Sequence, residues 1–156
     1  ATNYLTQAER FGGGDSNSWS PKPNVKPEQV TVGVGGKQVI FNAFLATVQP
    51  DGTPQVTPVW FDVHGTNLRI NTAAGRIKHR NMTKNASVAL AISDPANPYR
   101  YVQVRGKVAA ISEEGADAHI DSLAKKYMGV DSYPFRREGE VRVIYTIEPT
   151  SAQAMG

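Results

Sequence analysis

The chain of 156 residues is long enough for one domain with a buried core, and its 40% hydrophobic and 20% charged residues are typical of a globular protein. The absence of cysteine excludes disulfides, thiol nucleophiles and thiolate metal sites. The net charge of +3 is mild, and no apolar run approaches the ~18 residues that span a bilayer, so we expect a cytoplasmic protein without a membrane partner.

The first part of the chain differs from the rest. Residues 1–29 are rich in Gly, Ser, Asn and Pro and lack periodicity, so we interpret them as an extended N-terminal arm or linker before a domain over 30–156. Two short strand-like pieces follow, separated by a Gly-Gly turn. The GVGGK run at 33–37 lacks the full spacing of a phosphate loop, which favours a hairpin turn there.

The region 39–72 predicts a meander of three antiparallel strands, with the sequences VIFNAFLATVQ, TPQVTPVWFDV and LRINT. The PDG turn at 50–52 separates the first two. Pro54 and Pro58 lack a backbone N–H, so the second strand is expected at a sheet edge or with an interruption.

The second half alternates between helices and strands. A short helix is predicted over 75–84, then the buried strand ASVALAI and the long strand YRYVQVRGKVAAI. Ser112 is the expected N-cap of a second helix with one apolar face, and VRVIYTIE is the last strand. The order β-β-β-α-β-β-α-β predicts a mainly β (α+β) fold, an antiparallel barrel of six or more strands with two helices.

The segment NTAAGRIKHRN at 71–81 concentrates positive charge where a strand runs into a helix. A helix start binds anions readily, and the Thr72 hydroxyl can donate a further hydrogen bond. Arg76 and Lys78 converge on one anion only if Arg76 lies in the turn before the helix or reaches around its end, since residues two apart do not share a helical face. The alternative is an ordinary solvated face. The small residues between them let a ligand approach the backbone: Ala73, Ala74 and Gly75.

Three segments together resemble the pyridoxamine 5′-phosphate oxidase-like superfamily, whose fold is the FMN-binding split barrel: FLATVQPDGTPQVTPVWFDV, LRINTAAGRIKHRNMTKNASVALAI and DPANPYRYVQVRGKV. They are most similar to the actinobacterial branch that uses the deazaflavin coenzyme F420. The resemblance implies that 30–156 is a split-barrel cofactor-binding domain and that the protein is a homodimer with cofactor sites at the subunit interface. Hydride transfer is then the cofactor's chemistry, so no catalytic side chain is assigned.

The resemblance also implies site residues. The ring would pack on Thr57, Pro58, Val59 and Trp60. The phosphate would be held within 71–81, by Asn71, Thr72, Ala73, Ala74, Gly75, Arg76, Lys78 and Asn81. Tyr101 stands where the oxidase branch has a flavin-contacting Gln, which disfavours an FMN oxidase. The substrate or the partner subunit would approach Tyr133, Phe135 and Arg136. No metal site is expected, because His64, His79 and His119 lack ligand spacing.

These features leave competing functions. The first is a reductase that transfers hydride from reduced F420 to a small conjugated molecule, such as an enone, a quinone or a tetrapyrrole. The alternatives are an FMN-dependent oxidase or flavin reductase and a non-catalytic flavin- or anion-binding module. The anion-binding module could also be a nucleic-acid binder, but its only support is the seven Lys/Arg against one acidic residue over 75–107. We therefore predict no nucleic-acid partner.

Overall fold

The computed structural model describes residues 31–34, 37–40, 43–94 and 97–155. The predicted arm over 1–29 lies outside these residues. The described helices are α1 (Ile77–Lys84) and α2 (Ala116–Met128), and the described strands are β1 (Thr31–Val34), β2 (Lys37–Ile40), β3 (Ala43–Val48), β4 (Pro54–Val59), β5 (Phe61–His64), β6 (Asn67–Ala73), β7 (Ser87–Asp94), β8 (Asn97–Ser112) and β9 (Arg142–Met155).

Seven strands form one antiparallel sheet in the order β4-β3-β7-β8-β9-β6-β5, curled into a half-barrel. The predicted mainly β split barrel with two helices is confirmed. β1 and β2 pair separately as antiparallel strands, and the predicted Gly-Gly turn between them lies outside the described residues. Burial alternates along β3, where Ala43 and Leu45 face the core while Phe44 is exposed. The core is completed from the other strands by residues such as Ile70, Leu90, Val143, Tyr145 and Ile147.

The predicted second strand of the meander is wrong, because the chain breaks at Trp60. The part before it, β4, pairs with β3, and the part after it, β5, pairs with β6. β4 and β5 are the two edges of the sheet, so the chain crosses from one edge to the other at Trp60. The edge position expected for Pro54 and Pro58 is confirmed, since an edge strand tolerates a missing N–H.

The predicted N-cap of the second helix is also wrong. Ser112 is the last residue of β8, and α2 begins four residues later. Gly115 occupies the cap position with φ 74°, a left-handed conformation that glycine adopts at little cost. The predicted end is confirmed: Gly129 follows the helix, and its N–H donates to the Lys125 carbonyl at 3.0 Å.

α2 packs over the corner where the chain changes edges. Its apolar face joins Trp60 in a second small core through Ile120, Leu123 and Ala124. The Lys126 ammonium donates to the Phe61 carbonyl at 2.7 Å and lies 4.3 Å above that residue's ring. These contacts fix the helix against β5. Neither described helix is long and apolar enough to cross a membrane.

Candidate functional site

The turn from β6 into α1 places Arg76 outside the helix. Gly75 adopts φ 86°, and Arg76 at the N-cap position is extended, with ψ 157°. The condition under which Arg76 and Lys78 converge is therefore met, and both line one cavity. The first turn of α1 has no side-chain cap and no acidic residue, which leaves its partial positive charge uncompensated by that turn.

Buried contacts hold α1 on the barrel. The Asn81 amide donates to the Thr47 hydroxyl at 3.0 Å, and Met82 is buried in the main core. His79 is hydrogen-bonded through Nδ1 to the hydroxyl of Tyr145. These contacts fix α1 relative to β3 and β9 before any ligand arrives.

Three cations face the cavity at this helix start: Arg76, Lys78 and Arg142. One carboxylate accompanies them, since Glu140 lies 2.8 Å from Arg142 and 3.8 Å from Arg76. Burial, together with the nearby charges of Arg76 and Arg142, lowers the pKa of Lys78 to about 8. A bound anion would offset this repulsion, so the cluster has the electrostatics of an anion site.

Thr72 supplies a hydroxyl with no protein partner. Its side chain is 2% exposed and lines the same cavity, yet Oγ1 has no hydrogen-bond partner among the residues that the structure describes. A buried polar atom without a partner costs about 1–3 kcal/mol. An acceptor placed in the cavity would remove that cost, which points to a ligand oxygen.

Arg142 is held by a side-chain amide. The residue is 5% exposed, and its Nε donates to Asn71 Oδ1 at 2.8 Å. The guanidinium carbon also lies 5.2 Å from the centre of the Tyr133 ring. A buried arginine costs stability unless it is paired, so these contacts and Glu140 explain how it is kept beside two other cations.

Part of the cavity lining is aromatic. Trp60 stacks on Tyr127 with ring centres 5.4 Å apart and meets the edge of Tyr133 at 6.0 Å. Tyr133 in turn contacts Phe135 at 5.6 Å. The open cavity is about 80 Å³ and is lined by Pro58, Val59, Trp60, Asn71, Thr72, Arg76, Lys78, Ile120, Tyr133, Phe135 and Arg142. It therefore has a cationic end and an apolar, aromatic side.

The structure brings together nine of the sixteen residues that the sequence nominated: Pro58, Val59, Trp60, Asn71, Thr72, Arg76, Lys78, Tyr133 and Phe135. Asn81 instead faces β3, and Tyr101 is exposed on β8. Arg136 binds Asp117 at 2.6 Å and Asp121 at 2.8 Å on α2. The others that lie outside the lining are Thr57, Ala73, Ala74 and Gly75. Their roles toward a cofactor stay predictions.

Two lining residues, Ile120 and Arg142, were not nominated from the sequence. Ile120 belongs to the apolar face of α2 and packs with Trp60. Arg142 lies in an alternating strand, where a charged residue reads as solvent-facing. The sequence signal that could have revealed Arg142 is its position directly before the buried residues of the last strand.

A polar chain continues behind Asn71, away from the cavity. The Asn71 amide nitrogen donates to the Ala116 carbonyl at 2.8 Å and to His119 Nδ1 at 3.2 Å. His119 Nε2 lies 3.2 Å from Asp62, which accepts two hydrogen bonds from Arg69. Burial lowers the pKa of His119, and Asp62 opposes that shift only in part. In the described part of the chain no three His, Asp or Glu side chains group as a metal site requires.

Comparisons with known proteins identify the family of this chain. The family model of pyridoxamine 5′-phosphate oxidase matches residues 40–156. The chain belongs to the pyridoxamine 5′-phosphate oxidase family. The matched range contains the turn from β6 into α1, the aromatic residues of the cavity and Arg142. No curated protein is significantly similar in sequence to the chain.

Solved structures place this oxidase-family chain near an F420-dependent branch. An F420 reductase is 38% identical, with a TM-score of 0.64 over 72% of this chain and 89% of its own. The conserved hypothetical protein Rv2991 from Mycobacterium tuberculosis is 23% identical, with a TM-score of 0.57 over 72% and 75%. General Stress Protein 26 from Bacillus anthracis str. Sterne is 18% identical, with a TM-score of 0.52 over 74% and 84%. The last two show the shared fold.

Proposed function

We propose that this protein is a reductase that uses coenzyme F420 and acts on a small conjugated molecule such as an enone, a quinone or a tetrapyrrole. The observation that carries the proposal is the buried, unpartnered Thr72 hydroxyl beside three cations. That arrangement suits a phosphate oxygen, which accepts hydrogen bonds and carries negative charge. The 38% identity to an F420 reductase favours the deazaflavin over other phosphorylated cofactors.

In this proposal the protein binds and orients the cofactor. Thr72 and Lys78 donate to the phosphate, and Arg76 and Arg142 supply further charge. Trp60 and its aromatic neighbours give the ring an apolar surface and exclude water from it. The bound coenzyme supplies the hydride, which is consistent with a site that needs no acid or base of its own.

We further propose that the functional unit is a homodimer. Cofactor sites usually enclose about 300–1,000 Å³, whereas this cavity is about 80 Å³ and open. A second subunit would supply the missing walls. The outer face of β3 and β4 carries exposed apolar residues suited to burial, with Phe44 37% and Val56 64% exposed. Sedimentation equilibrium tests this, and a monomer at all concentrations would contradict it.

The decisive experiment is a fluorescence titration of the protein with F420 and, separately, with FMN. We expect saturable F420 binding at one per chain and weaker FMN binding. Thr72→Val keeps the side-chain shape and should weaken F420 binding about tenfold, the scale of one hydrogen bond to a charged group. It should not lower the melting temperature, because the hydroxyl has no partner to lose in the described protein. Unchanged binding would refute the anion site.

The second candidate is an FMN enzyme of the same fold, which the match to the oxidase family model favours. Tighter binding of FMN than of F420 would select it. A non-catalytic module would bind a cofactor yet show no oxidation of reduced F420 with any conjugated substrate. Binding of nucleic acid that weakens steeply with salt would indicate the basic-surface alternative instead.

A further inference from the structure

We propose that Asn71 and His119 are positioning residues, which aim Arg142 at the anion through one fixed orientation of the Asn71 amide. The inference deepens the proposed function and rests on it. Asn71 was nominated as a direct cofactor contact, but its hydrogen bonds are directed into the protein. It lies at the start of a chain that leads from the cavity to His119.

The Asn71 amide has only one orientation that satisfies its neighbours. Two acceptors face its nitrogen, the Ala116 carbonyl at 2.8 Å and His119 Nδ1 at 3.2 Å. One donor faces its oxygen, Arg142 Nε at 2.8 Å. A flipped amide would set N–H against N–H at Arg142 and oxygen against oxygen at Ala116. Both amide hydrogens are committed, so Asn71 has none to give an anion.

His119 completes this arrangement because it must offer a lone pair at Nδ1. Its proton then resides on Nε2, which lies 3.2 Å from Asp62 Oδ1 in an electrostatic contact whose geometry falls short of a hydrogen bond. Asp62 is itself fixed by two hydrogen bonds from Arg69, at 2.6 and 3.0 Å. The acidic partner therefore selects the ring tautomer, the tautomer selects the amide orientation, and the amide directs Arg142.

The Arg142 guanidinium needs this support more than Arg76 does. Arg76 stands half-exposed at the N-cap and can adjust to a ligand. Arg142 is buried between Glu140, Asn71 and the Tyr133 ring, so a small change in its direction cannot be recovered by a different rotamer. We infer that Arg142 sets the position of the anion and that the Arg76 side chain adjusts to the anion once it is bound.

The first test is spectroscopic and uses the wild-type protein without cofactor. Long-range ¹H–¹⁵N NMR of the imidazole should show neutral His119 at about pH 7 with its proton on Nε2. A charged ring, or a proton on Nδ1, would overturn the proposal. This readout tests the Nδ1 lone pair that the proposal requires, and the variants below separate positioning from packing.

The second test measures Kd for inorganic phosphate and for F420 in matched variants. Asn71→Leu should weaken both about tenfold, the scale of one hydrogen bond to a charged group. His119→Phe should weaken both, and His119→Asn should restore most of the loss because its amide can present an oxygen in place of Nδ1. Ser122→Ala, which removes a hydroxyl bonded to the His119 carbonyl, is the control and should bind as wild type.

The outcomes separate this inference from the proposed function. If Arg142→Ala weakens binding but Asn71→Leu and His119→Phe do not, the positioning chain is refuted and the anion site stands. If Arg142→Ala binds normally while Thr72→Val and Lys78→Ala bind weakly, Arg142 does not hold the anion and the inference again fails. If none of these variants changes phosphate or F420 binding, the proposed function fails with it.

Discussion

Replacing Lys78 by Met should stabilise the ligand-free protein and weaken its hold on the cofactor. Burial and two neighbouring arginines lower the pKa of Lys78 from 10.5 to about 8. At about 1.4 kcal/mol for each unit of pKa, this shift sets an upper bound of about 3 kcal/mol on how much the Lys78 charge destabilises the folded protein. Lys78 is only half-buried, so solvent screening reduces the expected gain to about 1–2 kcal/mol.

The sign follows from proton binding in the two states. Between about pH 8 and 10.5 the unfolded chain holds the Lys78 proton and the folded protein does not, so wild-type stability rises over that range. Below about pH 8 both states are protonated, and the folded state bears the full repulsion. Lys78→Met should therefore raise the melting temperature by about 2–6 °C at pH 7, and the gain should vanish above about pH 10.5.

Binding should change in the opposite direction. Only the ammonium form of Lys78 attracts an anion, and about a tenth of it remains at pH 9 if the pKa is about 8. Wild-type affinity for F420 should thus fall about tenfold between pH 7 and pH 9, and Lys78→Met should be weak at both.

The assay is urea unfolding across this pH range, paired with fluorescence titration of F420. Lys84→Met is the matched control, because Lys84 is a basic residue in the last turn of the same helix and lies outside the cavity. It should lose about 0.3–1 kcal/mol and bind normally. A Lys78→Met protein that is less stable than wild type, yet binds F420 equally well, would refute the reasoning.

Two further substitutions test the framework. Gly106→Ala should cost about 2 kcal/mol or more in urea unfolding, because a Cβ there would lie 2.7 Å from the Glu148 carbonyl oxygen; equal stability would contradict the described strand packing. Asp62→Asn should cost about 1–3 kcal/mol at pH 7. Burial raises the pKa of Asp62, but hydrogen bonds from Arg69 and the contact with His119 outweigh it and hold the pKa below 3.8, so the difference from wild type should narrow as pH falls below that value. A difference that stays constant through the acid range would argue against the ion pair as its cause.

Much of the fold could be predicted because it follows from local pattern. The alternation in β3 and the apolar face of α2 each repeat over several residues, and the structure confirms both. The prolines of the second strand indicated an interruption, but its position at Trp60 could not be predicted in the same way. PVWF is continuous and apolar, and Trp60 packs on Tyr127, a residue far along the chain.

The candidate site shows the same contrast between what local sequence predicts and what depends on distant parts of the chain. Thr72, Arg76 and Lys78 lie in one short segment, so strand-to-helix geometry alone brings them together. Arg142 comes from a strand much later in the sequence, and only the pairing of β9 with β6 places it there, with Arg142 opposite Ala73. The alternation of its strand also misleads, because Arg142 and its neighbour Val143 are both buried.

The position of β9 has a consequence for how the protein is made. β9 is the last of the described strands in the sequence, yet it lies inside the sheet between β8 and β6. During synthesis the edges of β6 and β8 that will pair with β9 therefore stay unpaired until β9 emerges from the ribosome. Chaperones or other chains can bind these edges in the meantime. If Arg142 holds the anion as proposed, the complete site forms only once β9 has emerged, because Arg142 arrives with that strand. Affinity for the anion would thus mark completed folding, and cofactor supply would favour finished chains over partial ones.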